Sequence, residues 1–140
     1  MNDQSMEKDQ QQSLPGGATP TSEAILVVDD DSHVLQMLQW VLEDVGFEVQ
    51  TAADGAEALT RARLRRPALV ILDLGLPLLD GSQVATELRT LYGAAVPIVI
   101  ITADRHAAWK GNQIGASAFL RKPFEITDLV QTVLQTLNHQ

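Results

Sequence analysis

Ile25-Leu26-Val27-Val28-Asp29-Asp30-Asp31 sets an unbroken apolar run directly against three carboxylates. A half-buried strand alternates apolar with polar residues. A run with no alternation reads instead as a strand covered on both faces, as in a parallel sheet flanked by helices. Two more runs have this form: Ala68-Leu69-Val70-Ile71-Leu72, followed by Asp73, and Pro97-Ile98-Val99-Ile100-Ile101, followed by Thr102. Weaker strands fit Phe47 to Thr51 and Ser117 to Leu120, and Lys122 stands just past the second of these.

The intervening segments repeat at helical spacing. Val34, Leu35, Leu38, Val41, Leu42 and Val45 form one apolar stripe, closed by Gly46. Val84, Ala85, Leu88 and Leu91 form another ahead of Gly93, and Leu129, Val130, Val133, Leu134 and Leu137 form the last. A shorter helix over 56–65 has Ala58, Leu59 and Ala62 as its buried stripe and stops at Pro67. The stretch 104–114 has a weak stripe and contains Gly111 and Asn112, both poor helix formers. Strands alternating with helices, joined by right-handed crossovers, give a doubly wound α/β fold. For a five-stranded parallel sheet the order 2-1-3-4-5 is expected, with ligands bound at the carboxyl ends of the first and third strands, where the order reverses.

The 140-residue chain fits one domain. Residues 1–22 are rich in Gln, Ser, Gly and Pro and bury too little apolar surface to offset their ordering entropy. A disordered leader at 1–22 and a folded unit at 23–140 are expected. With aromatics at 4%, Leu, Ile, Val and Ala must build the core. The absence of cysteine rules out disulfides and zinc–thiolate sites. No apolar run reaches the ~18 residues that span a bilayer, and no signal pattern opens the chain, so no membrane contact and a cytoplasmic location are expected. A net charge of -8 argues against direct nucleic-acid binding, which needs clustered Lys and Arg. The one basic cluster, Arg61, Arg63, Arg65 and Arg66, falls at a helix end, where cations complement the helix dipole.

Taken singly, the strand-end residues have ordinary explanations. Asp31 or Ser32 would cap the following helix, Asp73 would start a turn, Thr102 is a common strand residue and Lys122 a common surface lysine. Together they specify a site. Asp29, Asp30 and Asp73 converge on one crevice, where like charges repel. A hard divalent cation relieves that conflict, and oxygen-only ligands suit Mg²⁺, with Mn²⁺ an alternative. Thr102 adds a hydroxyl donor and Lys122 an ammonium. Carboxylate, cation, hydroxyl and ammonium are the parts that phosphoryl transfer requires, with Asp73 as nucleophile.

The pattern Val28-Asp29-Asp30, Asp73 followed by Pro77 and Asp80-Gly81, Thr102-Ala103, and Lys122-Pro123-Phe124 resembles the receiver domain of bacterial two-component response regulators, of the chemotaxis-regulator type. The resemblance covers essentially the whole folded unit. It implies the flavodoxin-like receiver fold and a regulatory phosphoacceptor rather than a turnover enzyme. Asp73 would form an acyl phosphate by attacking a phosphohistidine of a sensor histidine kinase or phosphotransfer protein. Asp30, Asp73 and the carbonyl of Gly75 would ligate Mg²⁺, with Asp29 acting through water. Lys122 would pair with the phosphoryl group, the bond to Pro123 would be cis, and the amides of Leu74 and Ala103 would complete the cradle. Thr102 and Phe119 would carry the switch to an output surface formed by 104–114, the fifth strand and the last helix. The reader of that surface would be a downstream protein or a missing effector domain. Gly75 and Asp104 are expected to tune a fairly short phosphoryl lifetime. No histidine is placed as donor: His33, His106 and His139 are expected at the surface or terminus. Trp40 and Trp109, remote in sequence from Asp73, would report metal binding poorly.

Asp29-x-Asp31 after a strand also resembles the start of a haloacid-dehalogenase-type phosphatase, with Asp29 as nucleophile and Asp31 as acid, although Ser32-His33 continues that pattern poorly. A flavin-binding module of the same sheet order would need a Ser/Thr/Gly-rich phosphate loop where this chain has aspartates.

Overall fold

The computed structural model describes residues 24–76, 80–103 and 115–138. Ala24–Val28 (β1), Glu48–Ala52 (β2), Leu69–Asp73 (β3), Ile98–Thr102 (β4) and Ala118–Arg121 (β5) form a parallel sheet in the order β2-β1-β3-β4-β5. Helices Ser32–Val45 (α1), Gly55–Leu64 (α2), Gly81–Tyr92 (α3) and Ile126–Asn138 (α4) connect or follow them, with a 3₁₀ turn at Gly93–Ala95. This is the doubly wound α/β sheet that the apolar runs required. The leader 1–22, Pro77 and the helix expected over 104–114, with Asp104, Trp109, Gly111 and Asn112, lie outside the described residues. No helix of the described residues is long and apolar enough to cross a membrane.

β1, β3 and β4 are buried along their whole length, which is why their sequences do not alternate. Successive side chains still point to opposite faces and build two cores. Leu26, Val28, Val70, Leu72, Ile98 and Ile100 pack on α2 and α3 through Ala58, Leu59, Val84 and Leu88. Ile25, Val27, Leu69, Ile71, Val99 and Ile101 pack on α1 and α4 through Leu38, Leu42, Leu129 and Val133.

Aspartates start three of the helices. Asp31 caps α1, accepting from the His33 and Val34 amides at 2.9 and 3.4 Å. Asp54 caps α2, and Asp80 forms a reciprocal capping box with Gln83 at the start of α3. Gly46 ends α1 at φ 114, a conformation that a Cβ would strain.

Three apolar positions expected in the core are instead exposed: Val45 at 43%, Leu91 at 39% and Leu134 at 39%. Val45 and Leu91 each lie one turn beyond the last buried residue of their stripe, Leu42 and Leu88. The buried face of α4 runs through Leu129, Val133 and Thr136, and Leu134 falls beside it. Helical period gives the direction of a face but not how far the sheet reaches beneath it. The basic cluster is largely matched by carboxylates: Arg61 pairs with Glu57, Arg63 with Glu87 and Arg65 with Glu48.

The contrast along α1 is measurable. Leu42→Ala is expected to cost about 2–5 kcal/mol in urea unfolding, and Val45→Ala under about 1 kcal/mol. Equal losses would contradict the burial described.

Candidate functional site

Strand register assembles the site. Val28 pairs with Leu72, so Asp29, one residue past β1, comes level with Asp73 at the end of β3. Asp73 pairs with Ile101 and Thr102 with Arg121, which brings Thr102 and Lys122 to the same carboxyl-terminal rim. The ladder continues past the strands: the Asp29 amide donates to Ala52 O at 3.1 Å and the Lys122 amide to Thr102 O at 2.8 Å. These backbone bonds hold the functional side chains on rigid supports rather than on free loops.

Lys122 Nζ donates to Asp29 Oδ2 at 2.8 Å and to Asp73 Oδ2 at 3.2 Å. Asp29 is fully buried and Asp73 is 6% exposed, whereas Asp30 is open to solvent. The second oxygens are held by backbone: Asp31 N–H donates to Asp29 Oδ1 and Gly75 N–H to Asp73 Oδ1, both at 2.9 Å. Asp29, Asp30 and Asp73 each offer an oxygen, all within 4.8 Å of one another. Three carboxylates against a single ammonium leave a net negative crevice of hard oxygen donors, which fits a divalent cation such as Mg²⁺. Burial pushes the Asp29 carboxyl above its ordinary value; the bonds from Lys122 and the Asp31 amide pull it down, and the Asp73 charge adds to the rise. For Lys122, burial acts downward, but its bond to Asp29 and the charges of Asp29 and Asp73 outweigh it and hold the ammonium above the ordinary lysine value.

Thr102 is 2% exposed and its neighbour Ala103 is exposed. Ala103 lines a groove of about 410 Å³ with Val34, Met37, Lys122, Pro123 and Phe124. The Lys122–Pro123 bond is cis. Phe119, half-buried, pairs with Ile100 and packs into the α2/α3 core, on the face of the sheet that Thr102 shares by alternation. His33 is exposed, and His106 and His139 lie outside the described residues. Trp40 is 67% exposed on α1.

Two pairings at the site go beyond the sequence expectation. The Leu74 amide, expected in the phosphoryl cradle, donates to Ile101 O at 3.3 Å, continuing the ladder. The amide that reaches the Asp73 carboxylate belongs to Gly75. Lys122 and Asp29, expected beside the phosphoryl group and a metal-bound water, are also bonded to each other. Neither pairing leaves a sequence signal, because each depends on register between elements distant in the chain. The phosphatase alternative does not fit this geometry: Asp31 is occupied in capping α1, and Asp29 is sealed beneath Lys122.

The model of the response regulator receiver domain matches residues 25–134. The chain belongs to that family. Transcriptional regulatory protein PrrA of Mycobacterium tuberculosis is 44% identical over 125 residues, covering 86% of this chain and 52% of that protein. Alkaline phosphatase synthesis transcriptional regulatory protein PhoP of Bacillus subtilis is 40% identical over 116 residues, covering 79% and 48%. A putative response regulator from Chloroflexus aurantiacus superposes with a TM-score of 0.78 at 37% identity, over 83% of this chain and 98% of that one. Vibrio cholerae chemotaxis protein CheY4 superposes with a TM-score of 0.76 at 33% identity, over 81% and 97%. The chain spans about half the length of the curated relatives it matches.

The receiver's lysine makes stability depend on pH in a defined direction. A raised Asp29 value means that the folded state holds that proton more tightly than the unfolded chain does. The associated stability is present in acid and is lost as pH rises through the folded value. Removing the Lys122 ammonium removes attraction and raises Asp29 further. Lys122→Ala is expected to destabilise the receiver by about 1–3 kcal/mol at neutral pH. This is less than the loss of a partner from a fully buried pair, because the lysine is 24% exposed. The deficit relative to wild type should shrink as pH is lowered from neutral into the acid range and Asp29 takes up a proton. A deficit constant across that range, measured by urea unfolding, would contradict the shared-charge account.

Proposed function

We propose that Asp73 is the phosphoacceptor of this receiver domain and that it takes a phosphoryl group from a phosphohistidine of a kinase or phosphotransfer protein. The observation that carries the reading is the setting of the Asp73 carboxylate: at the mouth of the crevice, aimed by Lys122 Nζ on one oxygen and by Gly75 N–H on the other, with Asp30 beside it. A carboxylate oxygen of Asp73 attacks phosphorus, the phosphorus–nitrogen bond breaks, and its electron pair leaves on the donor imidazole. The product is an acyl phosphate on Asp73. Such a transfer is governed by positioning and charge stabilisation. Asp30, Asp73 and the Gly75 carbonyl would hold Mg²⁺, which supplies the positive charge that lets an anionic carboxylate approach an anionic phosphoryl group. Lys122, released in part from Asp73, then neutralises a phosphoryl oxygen while keeping Asp29 as its counter-ion. Thr102 and the amides of Gly75 and Ala103 supply neutral donors.

Signalling follows from the same rim. Thr102 and Phe119 share one face of adjoining strands, so a Thr102 hydroxyl drawn to the phosphoryl group leaves space that Phe119 can occupy. The face around β5 and α4 is then the surface a downstream protein or further domain reads. The domain acts as a regulatory acceptor, catalysing only its own phosphorylation and dephosphorylation, and its acidic surface takes no direct part in nucleic-acid binding.

Incubation with a small phosphodonor and Mg²⁺ should add one acid-labile phosphoryl group to the wild-type chain and none to Asp73→Asn. Labelling that persists in Asp73→Asn would refute the assignment. Mg²⁺ at about 100 times its dissociation constant should stabilise the wild type by about 2.7 kcal/mol. Asp30→Asn should lose most of that gain in a thermal melt.

A further inference from the structure

The first turn of α3 lies against the two peptide groups that follow Asp73. A Cβ on Gly81 would fall 2.6 Å from the Asp73 carbonyl oxygen, 2.6 Å from Leu74 Cα and 2.9 Å from Leu74 Cδ2. Two of these three atoms are backbone, so no side-chain rotation relieves the clash. The bare approach also lets Gly81 N–H donate to Leu74 O, a long bond of 3.4 Å. The turn itself is held by the capping box, with Gln83 N–H donating to Asp80 Oδ1 at 3.0 Å and Asp80 N–H to Gln83 Oε1 at 3.1 Å.

A trans peptide is planar, with its C=O and N–H pointing in opposite directions, so a contact at one end aims the other. The peptide between Leu74 and Gly75 directs its C=O toward Gly81 and its N–H to Asp73 Oδ1 at 2.9 Å. The preceding peptide turns its C=O toward Gly81 and its N–H to Ile101 O at 3.3 Å. Both planes are therefore fixed between α3 on one side and the sheet or the acceptor carboxylate on the other.

We propose that Gly81 is a positioning residue for phosphoryl transfer: through it the amino end of α3 bears on Leu74 and aims the Gly75 N–H at the acceptor, where it donates to an oxygen of the transferred group. The inference rests on Asp73 being the acceptor. Gly81 touches neither phosphoryl group nor metal and acts only through the Gly75 amide. The Asp80-Gly81 pair thus has two separate tasks, a carboxylate that starts the helix and an absent side chain that lets the helix reach the acceptor loop.

The test is Gly81→Ala in the full chain, labelled with acetyl phosphate over a range of concentrations, with Mg²⁺ binding followed separately by thermal shift. The maximal labelling rate per folded molecule should fall by about tenfold or more, as expected when a preorganised donor is misaimed. The half-saturating acetyl phosphate concentration and the Mg²⁺-induced shift should change little. A lowered melting temperature with an unchanged maximal rate would mean that Gly81 only permits packing, and would overturn the proposal. If Gly81→Ala does not fold, the wild type decides. With nine glycines, glycine-selective nitrogen-15 labelling gives a spectrum simple enough to assign. The Gly75 amide proton should move downfield when Mg²⁺ and beryllofluoride are added, and Gly81 should exchange about a hundredfold slower than an unstructured glycine. An unprotected Gly81 amide, or a Gly75 resonance that stays in place, would overturn the proposal. Failure of the wild type itself to label at Asp73 would instead refute the acceptor reading, so the two failures are distinguishable.

Discussion

Two carboxylates removed from water share one ammonium at the end of a parallel sheet, and the chemistry of this domain turns on that arrangement. Asp29 and Asp73 sit on neighbouring strands, nearly out of solvent, and both accept from Lys122 Nζ. Without the lysine, two buried like charges would face each other across a strand spacing, an arrangement that carries a large desolvation penalty. With it, one negative charge is offset and another remains, beside the exposed Asp30. The site is stable enough to fold yet still under-neutralised. That residual charge on clustered oxygen donors is the setting that suits a hard divalent cation.

The sheet supplies the precision. Parallel pairing places the carboxyl ends of β1, β3, β4 and β5 along one rim; Asp29, Asp73 and Thr102 stand on or directly after buried strands, and Lys122 directly after β5, which is partly exposed. Both faces of the sheet are covered, so these strands cannot shift register without moving every apolar side chain to the wrong core. A site built from four separate segments thereby inherits the rigidity of the core beneath it. The loop after Asp73 is held in a different way, by the close approach of α3 through Gly81, where backbone atoms rather than side chains meet.

The surface is more ordinary. The Arg-rich end of α2 is tied into ion pairs with Glu57, Glu87 and Glu48, and it reads as a solvated helix end. The exposed apolar residues Val45, Leu91 and Leu134 mark where helices outrun or turn away from the sheet.

Residue order alone determined the architecture and the candidate site residues. Apolar runs without alternation required strands buried on both faces, and the acids, hydroxyl and lysine that end those runs could meet only if the strands ran parallel. It also located the helix stripes, because a period of 3.6 is a local property. What it could not determine was which groups bond to which. The bonds from Lys122 to Asp29, from the Leu74 amide to Ile101 and from the Gly75 amide to Asp73 all follow from strand register and peptide orientation. These are relations between segments up to 93 residues apart. Gly81 shows the difference most simply: in the sequence it is a glycine after an aspartate, and only tertiary packing places backbone where its side chain would have been.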